Sequence, residues 1–263
     1  PLCIGNVRYN GVNTHSYNET DEFFRGKIDE IRIYDYALSA EQIENIYAQL
    51  ASNASYSFSE GTGTITADDS GTGNDGIIHG AAWTTGKVSY GLHFDGINDW
   101  VEVADDPSLD LIDQITVEAW VNLDDLTDGG IIGKYDNYSY YNYCLWLENG
   151  FLYFEIGNRT TDYFEKKVVY GGLNTGTWYH IVGTYDRQNV KLYVNAINRD
   201  TEPETREMGT GGGPLCIGNV RYNGVNTHSY NETDEFFRGR IDEVRIYDYA
   251  LSAEQVYSRY ISF

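Results

Sequence analysis

Three aspartates lie where their carboxylates could bind a metal ion. In RIDEVRIY, the two-residue period of a strand places Asp242 on the same inward face as Val244 and Ile246. An inward carboxylate is costly unless it is protonated, paired or metal-bound. In LHFDGINDW, Asp95 and Asp99 bracket a glycine-containing turn, whose carbonyls would add to the about six to eight oxygens that calcium favours. The pattern predicts a structural calcium ion (Ca²⁺) held by Asp95 and Asp242, with Asp99 as a weaker ligand. The alternative is that Asp242 accepts hydrogen bonds from backbone amides or an arginine.

A second group of residues is rich in aromatic side chains, which stack on the apolar faces of sugar rings. The segment KYDNYSYYNYCLW holds five tyrosines and one tryptophan in thirteen residues. The candidate ligand-binding residues are Tyr138, Tyr140, Tyr141 and Trp146, extended from outward strand faces by Trp120, Tyr153 and Glu155. Two alternatives stay open: tyrosines that simply cover a sheet, and a contact with another protein, where Tyr and Trp are enriched.

Groups suited to catalysis do not occur together in the sequence. Glycosidases need two carboxylates that face each other across a cleft, and the nearest approach, NETDEF, is typical of a polar loop. His180 shares a strand face with Val182 and is predicted to be a packed residue rather than a base. HExxH, GxSxG and P-loop motifs are missing, and GTGGGP is typical of a turn. We therefore expect no enzymatic activity.

Strand patterns dominate the segments that position these residues. In QITVEAWVNL, Ile115, Val117, Ala119 and Val121 share one face, while Thr116, Glu118 and Trp120 share the other. GFLYFEIGN, WYHIVGTYD and NVKLYVNAI alternate in the same way, and turn residues separate them. One short helix is predicted near the C-terminus, where Ser252 and Gln255 form a capping box. The pattern indicates an all-β sandwich or barrel closed by that helix.

The sequence repeats its own final segment. Residues 1–42 match residues 214–255 except at Lys27/Arg240 and Ile31/Val244, an offset of 213 residues and the size of a domain. Residues 1–50 are therefore predicted to be the C-terminal tail of a preceding domain of the same type, and residues 51–263 a complete domain. Such a tail buries too little apolar surface to fold alone. We expect it to dock, with its GKIDEIRIYD strand paired in a sheet.

Composition narrows the set of partners. The formal net charge of −22 repels polyanions, so nucleic acid is not expected as a ligand. No apolar run or lipidation motif predicts direct membrane insertion. Cys144 and Cys216 lie in strand-like runs and form either a disulfide or two buried thiols. Five Asn-x-Ser/Thr sequons are compatible with an exported glycoprotein.

The order of motifs resembles the laminin-G-like, concanavalin-A-like jelly-roll family. The matching pieces include GLHFDGINDWVEV, ITVEAWV, PLCIGN and FRGRIDEVRIYDYALSAEQV, and they cover nearly all of residues 51–263. The resemblance implies a jelly roll of two antiparallel sheets, frequently a structural calcium ion, and a binding or adhesive module on exported proteins. It does not imply one ligand.

Two functions are compatible with these features. The first is a non-catalytic, extracellular carbohydrate-binding or adhesion module, repeated in tandem in a surface or secreted protein, with a glycan as its partner. The second is a structural subunit of a self-assembling extracellular fibre or surface coat. In that case neighbouring copies of the same protein would dock through a strand or through the tail.

Overall fold

The computed structural model describes residues 33–34, 37–38, 52–135, 141–158, 164–210, 212–220 and 236–263. The chain divides into two compact units, Pro1–Ile46 and Tyr47–Phe263, and every element below belongs to the second. Of the GKIDEIRIYD segment only Ile33 and Tyr34 are described; both are exposed and outside any strand, which gives no support to a paired strand. Apart from these two residues and Ala37 and Leu38, the predicted tail lies outside the described residues, so its docking stays a prediction.

Within the described residues, sixteen strands form two antiparallel sheets of eight strands each. In chain order the strands are β1 (Ala54–Tyr56), β2 (Ile65–Thr66), β3 (Gly76–His79), β4 (Ala82–Thr85), β5 (Tyr90–Asp95), β6 (Trp100–Val103), β7 (Ile115–Leu123), β8 (Gly129–Tyr135), β9 (Tyr141–Glu148), β10 (Phe151–Asn158), β11 (Phe164–Tyr170), β12 (Trp178–Tyr185), β13 (Asn189–Val194), β14 (Ile197–Pro203), β15 (Leu215–Ile217) and β16 (Arg238–Tyr247). Sheet I has the order β14-β13-β12-β7-β16-β5-β4, with β1 also paired to β16. Sheet II has the order β11-β10-β9-β8-β15-β6-β3-β2. A single-turn 3₁₀ helix, Pro107–Leu109, precedes β7.

The core lies between the two sheets and follows the alternation of the sequence. On β7, Ile115, Val117 and Ala119 face this core, as predicted. One close fit joins the sheets: the ring of Phe154 on β10 occupies the space beside Gly183 on β12. A Cβ atom at Gly183 would lie 2.3 Å from that ring, so the glycine makes room for the aromatic side chain.

The outer face of sheet I is also buried, because the C-terminal helix α1 (Ala253–Ile261) lies over it. The predicted capping box is confirmed: the Ser252 side chain accepts from the Gln255 amide, and the Gln255 side chain accepts from the Ser252 amide. Val256 of α1 packs on Val182 and Tyr247 of the sheet. The predicted all-β sandwich of two antiparallel sheets with one C-terminal helix is thereby confirmed for the part of the chain that the structure describes.

The edge strands of the two sheets, β11 and β14, approach each other along one side of the sandwich. The Val169 amide on β11 donates to Asp200 Oδ2 on β14 at 2.8 Å. Beside it, Lys166 Nζ lies 3.1 Å from Glu202 Oε2. Acidic side chains of β14 therefore bind the backbone amide and the lysine that the edge strand β11 would otherwise leave unpaired.

Cys144 and Cys216 are buried and do not form a disulfide with each other. Gly133 on β8 lies opposite Cys216 on one side and opposite Cys144 on the other. A whole strand thus separates the two thiols, which places them about two strand spacings apart, beyond disulfide reach. Of the two alternatives left open by the sequence, buried thiols are what the fold contains.

Candidate functional site

A row of aromatic and apolar side chains crosses three strands on the outer face of sheet II. Trp146 on β9 lies opposite Tyr153 on β10, which lies opposite Val169 on β11. The Trp146 and Tyr153 ring centroids are 5.3 Å apart, with an angle of 35° between the ring planes. Phe151 follows the same strand face as Tyr153 and is 46% exposed, while Val169 is 38% exposed. We call Phe151, Tyr153, Trp146 and Val169 the aromatic row.

Polar residues occupy the neighbouring register positions on the same face. Cys144, Glu155 and Lys167 lie opposite one another on β9, β10 and β11. Glu155 is buried, whereas Lys167 is exposed. Lys167 Nζ lies 5.2 Å from the Tyr153 ring centroid and 5.9 Å from the Trp146 ring centroid. The aromatic row therefore has a positively charged group at its margin.

Three of the predicted ligand-binding residues come together here, namely Trp146, Tyr153 and Glu155. Tyr141 begins β9, but its side chain lies outside the described residues, as do Tyr138 and Tyr140. Phe151, Val169 and Lys167 were not predicted. The outward alternation of GFLYFEIGN indicates Phe151, whereas Val169 and Lys167 depend on the pairing of β10 with β11, which no local pattern reveals.

Trp120 does not extend this surface, so that part of the prediction is wrong. It lies on β7 in sheet I, on the opposite side of the sandwich, and is only 3% exposed. Its ring stacks on Tyr260 with a centroid distance of 5.8 Å and has Lys87 Nζ 4.2 Å above it. The outward strand face was predicted correctly, but helix α1 and the residues after it cover that face.

Asp242, the central residue of the predicted calcium site, is buried and bonded to backbone amides. Its Oδ2 accepts from the Val88 amide at 2.9 Å, and its Oδ1 accepts from the Glu243 amide at 2.8 Å. This arrangement is the alternative that the sequence left open. The two amides direct N–H groups, rather than oxygen lone pairs, towards the carboxylate, which is the wrong polarity for calcium ligands.

Asp95 and Asp99 do not converge on Asp242. Strands β5 and β16 do pair, but Asp95 lies opposite Arg238, four residues before Asp242, or about 13 Å along the strand. Asp99 Oδ2 accepts from the Asp95 amide at 2.9 Å. No group of three or more His, Cys, Asp or Glu side chains within the described residues is placed to hold a metal ion. The three aspartates do not fit a single calcium site, and calcium binding stays a prediction.

The buried Asp242 gives a testable pH dependence. Burial raises the pKa of Asp242 from 3.8 to about 7, although the Val88 amide favours the ionised form. From about pH 4 to about pH 7 the folded protein holds a proton that the unfolded chain releases, so the free energy of unfolding falls as the pH rises. We expect Asp242→Asn to remove this decline, measured by urea unfolding at several pH values in chelator-containing buffer. If the free energy of unfolding fell equally with pH in both proteins, the decline would not come from Asp242.

A second set of charged residues lies where helix α1 meets sheet I, centred on the buried Glu118. Glu118 Oε1 accepts from the Tyr247 hydroxyl at 2.8 Å, and Glu118 Oε2 lies 3.3 Å from His180 Nε2. Arg245 and Arg259 approach the same carboxylate at 3.4 and 3.9 Å. We call these five residues the Glu118 network. As predicted, His180 is a packed strand residue, and the network is placed to join the helix to the sheet.

The Glu118 carboxylate is ionised in this setting. Burial alone raises the pKa of Glu118, but the hydrogen bond and charge of His180, with the charges of Arg245 and Arg259, outweigh burial and lower it to about 2. A general acid or base needs a pKa near the working pH and access to substrate. Glu118 has neither, so its role is structural.

Two antiparallel sheets packed face to face define a β-sandwich, and sheet II carries the aromatic row on its outer face. The family model of the concanavalin A-like lectin/glucanases superfamily matches residues 95–257. The chain belongs to this superfamily. Among curated proteins, none matches the chain by sequence.

Solved structures with the same fold include binding domains. The binding domain of Paraclostridial Mosquitocidal Protein 1 has a TM-score of 0.64 and 17% identity, covering 82% of this chain and 53% of its own. The botulinum neurotoxin serotype D ligand binding domain, solved with N-acetylneuraminic acid, has a TM-score of 0.64 and 13% identity, covering 82% and 52%. This chain thus spans about half the length of these toxin domains.

A third structure matches over nearly its whole length. Domain 4 of AbnA, an extracellular GH43 arabinanase from Geobacillus stearothermophilus solved with arabinotriose, has a TM-score of 0.59 and 22% identity, covering 79% of this chain and 97% of its own. At these identities the likeness shows the fold. In the part of the chain that the structure describes, no helix combines the length and the apolar character needed to cross a bilayer.

Proposed function

We propose that this protein is a non-catalytic carbohydrate-binding module of a secreted or surface protein. The observation that carries the proposal is the partly exposed aromatic row on sheet II, centred on Trp146 and Tyr153. Support comes from the superfamily and from two similar structures that were solved with arabinotriose or N-acetylneuraminic acid. Repetition in tandem, indicated by residues 1–42, would add avidity to weak single sites.

The geometry of the row suits stacking against a sugar ring. Trp146 and Tyr153 are half-buried, and Trp146 packs on Cys144 and Val220, so the two rings are held in place on the sheet. Rigid aromatic side chains lose little conformational entropy on binding. Phe151 and Val169 extend the platform along β10 and across to β11, which gives room for a short oligosaccharide.

Glu148 and Glu155, two carboxylates on this face, lie too far apart to act together in hydrolysis. Glu148 lies opposite Phe151, and Glu155 is four residues beyond Phe151 on the same strand. That separation is about 13 Å along the strand. Glycosidases hold their two carboxyl groups about 5–9.5 Å apart. This pair is therefore too widely spaced to act on one glycosidic bond.

The proposal is tested by glycan-array binding followed by calorimetry on the best ligand. We expect Trp146→Ala and Tyr153→Ala each to weaken binding at least tenfold, about 1.4 kcal/mol, because each removes a stacking surface. Tyr257→Ala is the matched control, since Tyr257 is an exposed tyrosine on helix α1, away from sheet II. Wild-type protein that binds no glycan, or equal losses in Tyr257→Ala and Tyr153→Ala, would overturn the proposal.

Self-assembly into a fibre or coat is a second candidate, and one observation favours it. Phe151 and Val169 leave apolar area exposed beside Trp146 and Tyr153, and aromatic patches of this kind also join subunits. Sedimentation velocity over a range of protein concentrations separates the two functions. Association without added sugar that Phe151→Ser abolishes would support assembly, and a concentration-independent monomer would exclude it.

A further inference from the structure

We infer that the glycan bound by the aromatic row carries a carboxylate, and that Lys167 selects it. This inference rests on the proposed function and names the class of sugar that the same surface takes. It starts from the surroundings of one ammonium group on β11.

Lys167 differs from its neighbours in having no carboxylate partner among the described residues. Lys134 Nζ lies 2.6 Å from Asp105, Lys166 Nζ 3.1 Å from Glu202, and Lys191 Nζ 2.9 Å from Asp186. Of the other described lysines, Lys87 lies over the buried Trp120. The chain has 40 acidic and 18 basic residues, so an exposed lysine without an ion-pair partner runs against its composition.

The position of this ammonium group suits recognition of a bound anion. It lies 5.2 and 5.9 Å from the ring centroids of Tyr153 and Trp146, within about one sugar width of both. Attraction to the two ring faces holds the side chain near the row. Because aromatic rings do not consume the N–H donors of a lysine, these donors stay free for a carboxylate oxygen.

Two carboxylates lie near Lys167 on this face of sheet II without pairing with it. Glu155 lies opposite Lys167 in register, and Glu165 precedes it by two residues on the same strand face. Both glutamates have interactions of their own. Among the described residues, neither lies within ion-pair distance of Lys167 Nζ. A neutral sugar would offer this ammonium group only hydroxyl and ring oxygens. The carboxylate of a uronate or sialate would form the stronger, charge-assisted hydrogen bond while the sugar stacks on the row.

Net charge explains why a local cation is needed. With a net charge of −22, the protein repels anions at long range. An acidic glycan would be retained only where a short-range contact outweighs this repulsion, and charge-assisted hydrogen bonds are the stronger kind. The aromatic row places the glycan beside the one described cation on this face that has such capacity.

The test is an array that pairs carboxylated glycans with neutral counterparts: galacturonate with galactose oligomers, glucuronate with glucose oligomers, and sialylated with asialo glycans. We expect the best ligands of the wild-type protein to be carboxylated. Lys167→Gln is expected to weaken their binding at least tenfold and to leave binding of the neutral counterparts unchanged. Lys167→Arg is expected to keep the preference, and Lys166→Gln, next along β11, is the matched control.

The outcomes separate this inference from the proposed function. Neutral glycans as the best ligands, with binding lost in Tyr153→Ala, would keep the proposed function and overturn the selection by Lys167. The same follows if Lys167→Gln weakens acidic and neutral glycans equally. If the wild-type protein binds nothing on the array, both fall. Circular dichroism and melting curves of Lys167→Gln confirm that the variant is folded.

Discussion

Replacing Glu118 with leucine is expected to lower the free energy of unfolding by about 3–5 kcal/mol, the usual loss when one member of a buried charge network is removed. The carboxylate faces His180, Arg245, Arg259 and the Tyr247 hydroxyl beneath helix α1. Leucine leaves these groups buried without the charge that compensates them. Urea unfolding at neutral pH, followed by circular dichroism, measures the loss.

Two further measurements make this prediction specific. Glu118→Gln keeps the shape of the side chain but removes its charge. We therefore expect its free energy of unfolding to lie between those of the wild type and Glu118→Leu. Because the pKa of Glu118 is lowered to about 2 from 4.5, the stabilisation is present above about pH 4.5 and is lost as the pH falls through about 2. A change below about 1 kcal/mol in Glu118→Leu would contradict the predicted loss.

Adding a single methyl group at Gly183 is expected to destabilise the sandwich by about 1–3 kcal/mol. The new Cβ would lie 2.3 Å from the Phe154 ring, which projects from sheet II towards sheet I. An aromatic ring in a packed core cannot bend away, so either the ring or a strand must shift. The measurement is the midpoint of urea unfolding with an unchanged slope.

A double-mutant cycle shows whether this particular contact is responsible. Phe154→Leu alone removes buried volume and is destabilising. Combined with Gly183→Ala, the smaller side chain leaves room for the new methyl group, so the double variant is expected to be more stable than the sum of the single losses. Strictly additive losses would show that Gly183 is required for another reason.

Features that depend on neighbouring residues in the chain were predictable from the sequence. The capping box of Ser252 and Gln255 spans three residues, and the inward face of β7 follows from strict alternation. Both are set by backbone geometry that repeats every few residues. The sandwich and its C-terminal helix could therefore be predicted from the sequence.

Features that depend on register and on strand order were not predictable from the sequence. The two strands carrying Asp95 and Asp242 are indeed neighbours, but the register places Arg238 opposite Asp95. Likewise, Trp120 and Trp146 both face outward, yet from different sheets. Register is decided by turn geometry and by packing over the whole sheet, and strand order by long-range pairing. Neither is written in a local pattern.

The hydrogen bond from the Val169 amide to Asp200 has a consequence for how this molecule meets others. An outermost strand with open amides is a template on which a foreign chain can lengthen the sheet. Here the aspartate occupies the place of the carbonyl that such an intruder would offer. The exposed apolar side chains at the β11 edge of sheet II can therefore remain open to a soluble ligand, because a foreign strand cannot pair with the Val169 amide.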